Sequence, residues 1–396
     1  MRTAFVAASI LGLLLYGLVF ASWAYEWQYS DALVFMIGFP TGKDFINLYA
    51  AGQIFDQSLD LDTLFFSDRY AAFLTDLFNT DVHQYHYVWS YPPTMLLPAR
   101  LFAGLPYLPA FAVWSVVTMA LYLGGLYLAG LRGWWLLAAV LAPAAAVNLF
   151  FGQYGFLLAG LLLGGLSQRD ARPLLAGLLL GLATIKPQMG LLLPILLLPE
   201  RQWRVMAAAA VTALALIAFS IALDGMQAWR QYFTVILPVQ RMFLEEGVGF
   251  FMLLTVTPFM AGKIVGLGVP LLYMLQFAVT VVCAVGVYQM GSRGKRLPAM
   301  VFTLAAAFIA TPYAMAYDLP ILAGAGLLLL ASRPDFLDGA ARAVAFATLW
   351  MLPLVGLSGN LLLVALAPFV IALFAWQLWR YGNNQSGAIK KSKSAP

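Results

Sequence analysis

Two stretches of this chain carry no charge for longer than one helix can use. None lies between Arg132 and Arg169, and none between Arg342 and Arg380. A transmembrane helix needs about 20 apolar residues, so each interval predicts two helices joined by a tight tip. "NLFFGQYG" lies in the middle of the first and "GLSGN" in the middle of the second. The whole chain follows the same logic. Of its 396 residues 63% are hydrophobic and 10% charged, where a soluble domain carries about 25% charged residues. The expected fold class is therefore an all-α polytopic membrane protein, since helices satisfy their own backbone hydrogen bonds in lipid.

The net charge of +5 does not point to nucleic acid, because the basic residues are dispersed and fall mostly between apolar runs. That distribution is the bias of cytoplasmic loops toward lysine and arginine. The one cysteine, Cys283, sits inside an apolar run; it excludes an intrachain disulfide and a Cys-rich metal site. The N-terminus has a basic start, and "ASWA" resembles a signal-peptidase site. The apolar run from Thr3 to Tyr25 is nevertheless long enough to span, and an uncleaved first helix is the preferred reading.

The segment 172–204, "RPLLAGLLLGLATIKPQMGLLLPILLLPERQWR", has arginines at both ends. As one span it would split them across the membrane. As two short crossings, with Lys186–Pro187 at the tip, both basic ends fall on one side. Pro187 also disfavours helix at Lys186. Further apolar runs at about 4–24, 107–130, 205–223, 268–290, 298–311, 318–331, 341–357 and 361–379 bring the expectation to about twelve spans. Both termini would then be cytoplasmic in a single integral membrane domain, 1–396, with a basic tail at 381–396. The acceptor-like "NQS" at Asn384 falls in that tail and is read as chance.

This arrangement collects the polar residues on the outer side. The first outer loop, 25–106, holds nine of the seventeen acidic residues and both histidines, His83 and His86. Apolar residues at Phe45, Leu48, Ala51/Gly52 and Phe55 predict a helix after Asp44, and "DRYAAFLTDLF" (68–78) a second. Both are expected to be amphipathic and to lie flat on the outer surface. The tips "FGQ" (151–153), "IKPQ" (185–188) and "TPYAMAYD" (311–318), with the loop 224–250, share that side. Irregular backbone at membrane depth is tolerated where it lines an enclosed cavity.

Several residues there are candidates for chemistry, each with a plain structural alternative. Asp44 reads as a helix N-cap or as a general base. Lys186, ionisable between apolar segments, reads as a functional group or as a lysine snorkelling to headgroups. Gln153 and Gln188 suit sugar hydroxyls, since an amide offers donor and acceptor, or they tie loop backbone together. Tyr91, with Tyr85, Tyr87 and Trp89, reads as a sugar-stacking surface or as an interfacial aromatic belt. His86 and His83 lack the clustered partners of a metal site; His86 is a weak candidate for a phosphate or acceptor contact. Asp318 reads as a cap or a substrate contact, and Arg241 as a phosphate partner or an exposed loop arginine. No nucleotide loop, zinc-protease motif or serine triad is present, so an activated substrate must come from the lipid phase or from outside. No metal or other cofactor is expected.

Four landmarks occur in order: "KDFINLYAAGQIF", "YVWSYPPTMLLPARLFAGLP", "FGQYGFLLAGLL" and "LLAGLLLGLATIKPQMGLLLPILLL". Over about residues 42–204 the chain resembles the polyprenyl-phosphate-dependent membrane glycosyltransferases of family 87, in the GT-C superfamily. The resemblance implies a GT-C-like bundle that transfers a sugar from a polyprenyl phosphate to an acceptor hydroxyl on a lipid or glycan. Transfer would invert the anomeric carbon on the extracytoplasmic face, most naturally of a bacterial inner membrane. It implies Asp44 as the base and Lys186 as the group that stabilises the leaving phosphate. Tyr49 completes the Asp-Phe-x-x-x-Tyr pattern, and Tyr91 opens the Tyr-Pro-Pro. Where the family leads one to expect a histidine, this chain has Tyr313, so His86 or Arg241 would take over phosphate contacts. The competing readings are a flippase for a lipid-linked precursor, since broken helices also mark transporter sites, and a non-catalytic envelope-assembly subunit in which Asp44 and Lys186 do not converge.

Overall fold

The computed structural model describes residues 2–27, 41–78, 88–247 and 249–393; side chains are described between residues 10 and 383 except at 26, 27 and 250. Within them the chain is helical, with one isolated antiparallel bridge, Thr255 to Met315. The helices used below are α1 (Arg2–Trp27), α2 (Phe45–Asp56), α3 (Ser67–Phe78), α4 (Tyr107–Leu128), α5 (Pro143–Phe151), α6 (Gly155–Gln168), α7 (Pro173–Leu182), α8 (Trp203–Gln231), α9 (Val269–Ser292), α10 (Arg296–Ala310), α11 (Pro320–Ser332), α12 (Ala340–Met351) and α13 (Leu361–Lys393).

The apolar runs of the sequence become helices at nearly their expected places. Of the about twelve spans expected, four or five meet the length of a full crossing among the described residues. Four helices are long and apolar enough to cross a membrane: Tyr107–Leu128, Trp203–Glu246, Val269–Ser292 and Leu361–Asn383. A fifth arises if Trp134–Val140 and Pro143–Phe151, bent by 47°, count as one span. Helix α1 runs for 26 residues; the remaining apolar helices have 10–17 residues, short of the about 20 a crossing needs. The reason is visible in the sequence. Pro143 and Pro194 each sit in a helix's first turn inside an apolar stretch, where a missing N–H costs nothing, and so divide it into short helices.

The segment 172–204 does turn back on itself. Arg169 forms two hydrogen bonds with the Glu200 carboxylate, at 2.7 and 3.1 Å, and Gln202 donates to Asp170 at 2.6 Å. The two ends of the segment therefore lie together. As a result α7 and α8 run parallel. A Cβ on Gly177 would stand 2.4 Å from Ala208 Cβ, and one on Gly181 2.5 Å from Thr212 Cβ. Small residues four apart allow this approach.

Within 25–106 the described residues form helices after Asp44 and at 67–78, as the sequence predicts, but α2 is no surface helix. Every residue from Phe45 to Ile54 is buried. Phe45 packs against Phe102, Tyr107, Phe111 and Trp114 with ring centroids 5.4–6.4 Å apart. Helix α3 is the amphipathic one, burying Tyr70, Phe73, Leu74 and Phe78. The Tyr70 hydroxyl donates to Asn47 Oδ1 at 2.8 Å, locking α3 onto α2.

Candidate active site

The turn Thr41–Asp44 enters α2 from below a lattice of aromatic donors. Tyr107 donates to the Thr41 carbonyl at 2.6 Å and Trp114 to the Gly152 carbonyl at 2.9 Å. The Asp44 N–H donates to the Phe151 carbonyl at 3.0 Å, which fastens the turn to the tip after α5. Gly152 is left-handed there, φ 64°, and a Cβ on it would stand 2.5 Å from the Gly42 carbonyl oxygen. Only glycine fits this contact.

Asp44 occupies the N-cap position of α2, yet its side chain accepts no cap hydrogen bond from that helix. It accepts instead from Gln153 Nε2, at 2.8 Å, across the tip. The same amide nitrogen donates to the Tyr91 hydroxyl at 3.2 Å. Residue Asp44 keeps partial exposure, so a reactant can approach it. The protein around it still displaces enough water to raise its carboxyl pKa above the ordinary value. The Gln153 hydrogen bond and the charges of Lys43 and Lys186 offset part of that rise.

Lys186 arrives from the break between two 3-10 turns, Ala183–Ile185 and Pro187–Gly190. Its φ of −132° and ψ of 77° are the extended setting that a following proline enforces. The side chain is 1% exposed. Its ammonium donates to Asp318 Oδ2 at 2.6 Å and stands 5.3 and 5.2 Å from the ring centres of Tyr154 and Tyr317. Asp318 Oδ2 also accepts the Met315 N–H at 2.9 Å, so the capping and charge-partner roles of Asp318 coexist. Tyr91 packs edge-on against Tyr154, centroids 5.3 Å apart. A continuous chain of contacts thus leads from Asp44 through Gln153, Tyr91 and Tyr154 to Lys186 and Asp318. Asn148 closes the back, donating to the Tyr317 carbonyl at 2.9 Å.

The cluster contains one shielded cation, two carboxylates, an amide and several phenols. Two buried acceptors, Gln153 Oε1 and Asp318 Oδ1, receive no hydrogen bond from any described residue. Such a set can take a proton, hold an anion and receive hydroxyl donors.

The other candidates divide. Tyr313, in the tip before Asp318, lies close enough for the Asp44 and Asp318 charges to raise its pKa, though burial is the larger cause. Tyr49 is buried one turn along α2 and its hydroxyl donates to the Leu105 carbonyl at 3.0 Å. Gln188 is half-buried just beyond Lys186. Arg241 is exposed on the helix Leu237–Glu246; it pairs with Glu245 at 2.6 Å and lies against Tyr273, contacts that do not join the Asp44 cluster. His86 and His83, with Tyr85 and Tyr87, lie outside the described residues. Sequence reasoning passed over Tyr154, Tyr317 and Asn148. The first two adjoin residues it had singled out, Gln153 and Asp318, and Asn148 is an isolated amide in a charge-free run.

A helical, strongly apolar chain with broken helices converging on a carboxylate, an amide and a lysine has the makings of a membrane-embedded group-transfer enzyme. The glycosyltransferase family 87 profile matches residues 89–315, more than half of the chain, and the chain belongs to that family. It is thus a membrane glycosyltransferase. No curated protein and no solved structure matches it. The matched region contains Tyr91, Gln153, Lys186 and Tyr313, while Asp44 and Asp318 flank it.

Proposed function

We propose that this glycosyltransferase takes its sugar, a mannose-like hexose, from a polyprenyl phosphate and delivers it, with inversion, to a hydroxyl of a lipid or glycan at the extracytoplasmic face of a bacterial inner membrane. The observation that carries the reading is the state of Asp44. Its carboxylate does not cap its own helix but is aimed by Gln153, within the field of Lys186. In this reading Asp44 removes the acceptor proton as the acceptor oxygen bonds to the anomeric carbon. The bond from that carbon to the phosphate oxygen breaks, and the phosphate leaves with the electron pair. Lys186 stabilises the departing anion, a contribution that is often large in a dry site, and Asp318 keeps its ammonium in place. Gln153 Oε1 and Asp318 Oδ1 accept hydrogen bonds from hydroxyls of the sugar or acceptor, and Tyr91, Tyr313 and Gln188 line its approach.

The test is sugar transfer by purified protein in nanodiscs, with labelled polyprenyl-phosphate mannose and a panel of other polyprenyl-phosphate sugars, using a membrane lipid extract as acceptor. Wild type should transfer one of them and a folded Asp44→Asn variant none. Equal transfer by the variant would remove Asp44 from the reaction. Failure of the whole panel with wild type would remove the polyprenyl-phosphate donor.

A further inference from the structure

The end of the molecule where α7 and α8 begin holds none of the residues that the proposed transfer uses. Four arginines gather there in two different states. Arg169 and Arg296 are consumed by carboxylates: Arg169 by Glu200 at 2.7 Å, Arg296 by Glu200 at 2.6 Å and by Asp170 at 2.8 Å. Arg172 and Arg204 are exposed, and neither side chain forms an ion pair or hydrogen bond with a described residue. Together with Pro173, Leu174 and Leu175 they line a cavity of about 490 Å³.

Three further features converge on that cavity. Because α7 and α8 run parallel and in contact at Gly177 and Gly181, their N-termini open side by side. Each presents free N–H groups and the positive end of a helix dipole. Second, α8 begins a candidate span whose most apolar stretch is largely unburied within the protein, so the cavity lies at the edge of a lipid-facing surface. Trp203, exposed at its first position, is an interfacial residue type. Third, exposed apolar residues flank the cavity's exit along both helices: Leu174 and Leu178 on α7 and Val211 on α8, two helical turns beyond Arg204.

We propose that this cavity binds an anionic phospholipid, its phosphate between Arg172 and Arg204 and its acyl chains along Leu174, Leu178 and Val211. A free anion would gain nothing from the apolar wall. A zwitterionic headgroup would bring its own cation against two guanidinium groups that have no carboxylate to screen them.

The experiment is native mass spectrometry of the delipidated full chain titrated with dioctanoyl phosphatidylglycerol, dioctanoyl phosphatidylcholine and inorganic phosphate. Wild type should bind the phosphatidylglycerol roughly thirtyfold more tightly than the phosphatidylcholine, as two basic contacts would give. Arg172→Gln/Arg204→Gln should lose that preference, while Arg201→Gln, which removes an exposed charge from the same end outside the cavity lining, should keep it. Unchanged phosphatidylglycerol binding by the double variant, or no preference in wild type, would overturn the proposal. Inorganic phosphate displacing the lipid at equal concentration would do the same, assigning the cavity to a free anion. Thermal unfolding of the double variant checks its fold, and the readout does not depend on which sugar donor the enzyme uses.

Discussion

Asp44 shows how one side chain can sit at a cap position and do something else. A carboxylate at the start of a helix ordinarily accepts from that helix's own N–H groups. Here Gln153, 109 positions away, claims it instead. Because burial raises the Asp44 pKa, the acid limb of the transfer-rate profile should fall above about pH 3.9, the ordinary carboxylate value. Gln153 donates to the charged form and so lowers that pKa. Gln153→Leu should therefore move the acid limb to higher pH, because loss of the donor leaves the carboxylate harder to ionise. A pH–rate series on both proteins measures this; an unmoved limb would mean that the proton taken in the reaction is not held by Asp44. Asp44→Asn should lose at least about 100-fold in rate, a typical loss for an acid–base group, with an unchanged melting profile.

Helices α7 and α8 are held by the absence of side chains rather than by their presence. A Cβ at Gly181 already meets the Ala209 carbonyl oxygen at 2.7 Å as well as Thr212. Gly181→Leu should push the helices apart and destabilise the protein by about 1–3 kcal/mol, the usual range for overpacking, seen as a lowered thermal midpoint. Gly17→Leu, where an added Cβ meets nothing within 4 Å, serves as the control and should shift it little. A Gly181 variant as stable as wild type would mean that the crossing is loose. At the same level, prolines explain why apolar runs that look long enough in the sequence become helices of 10–17 residues.

Across the whole molecule, the Lys186–Asp318 pair joins two breaks 132 positions apart. Both side chains are at most 1% exposed, so removal of one partner leaves a buried charge alone, at a cost of about 3–5 kcal/mol. Lys186→Met should be destabilised on that scale. Adding Asp318→Leu should restore most of the lost stability, since replacing both partners by apolar groups is often neutral. Transfer should stay absent in the double variant. Recovery of transfer along with stability would make the pair purely structural.

Charge-free runs and dispersed basic residues were enough to give a helical membrane chain, the turn at Lys186–Pro187 and the placement of most helices. These depend on local composition, on proline's missing N–H and on the length of an apolar run. Asp44, Lys186, Gln153, Tyr91 and Asp318 could likewise be picked out as polar groups in tips and loops. Their convergence could not be read that way. A hydrogen bond from residue 153 to 44, or an ion pair from 186 to 318, depends on how separate helices pack, and no local pattern encodes it. The burial of α2 was hidden for the same reason: its stripe of apolar residues at helical spacing suits a surface, and it takes the aromatic side chains of α3, of α4 and of the loop before α4 to cover the face that would otherwise meet solvent. The tertiary fold alone decided that Asp44 would be held by a distant amide instead of its own helix, that Lys186 would face Asp318 instead of headgroups, and that Arg172 and Arg204 would be left without carboxylates.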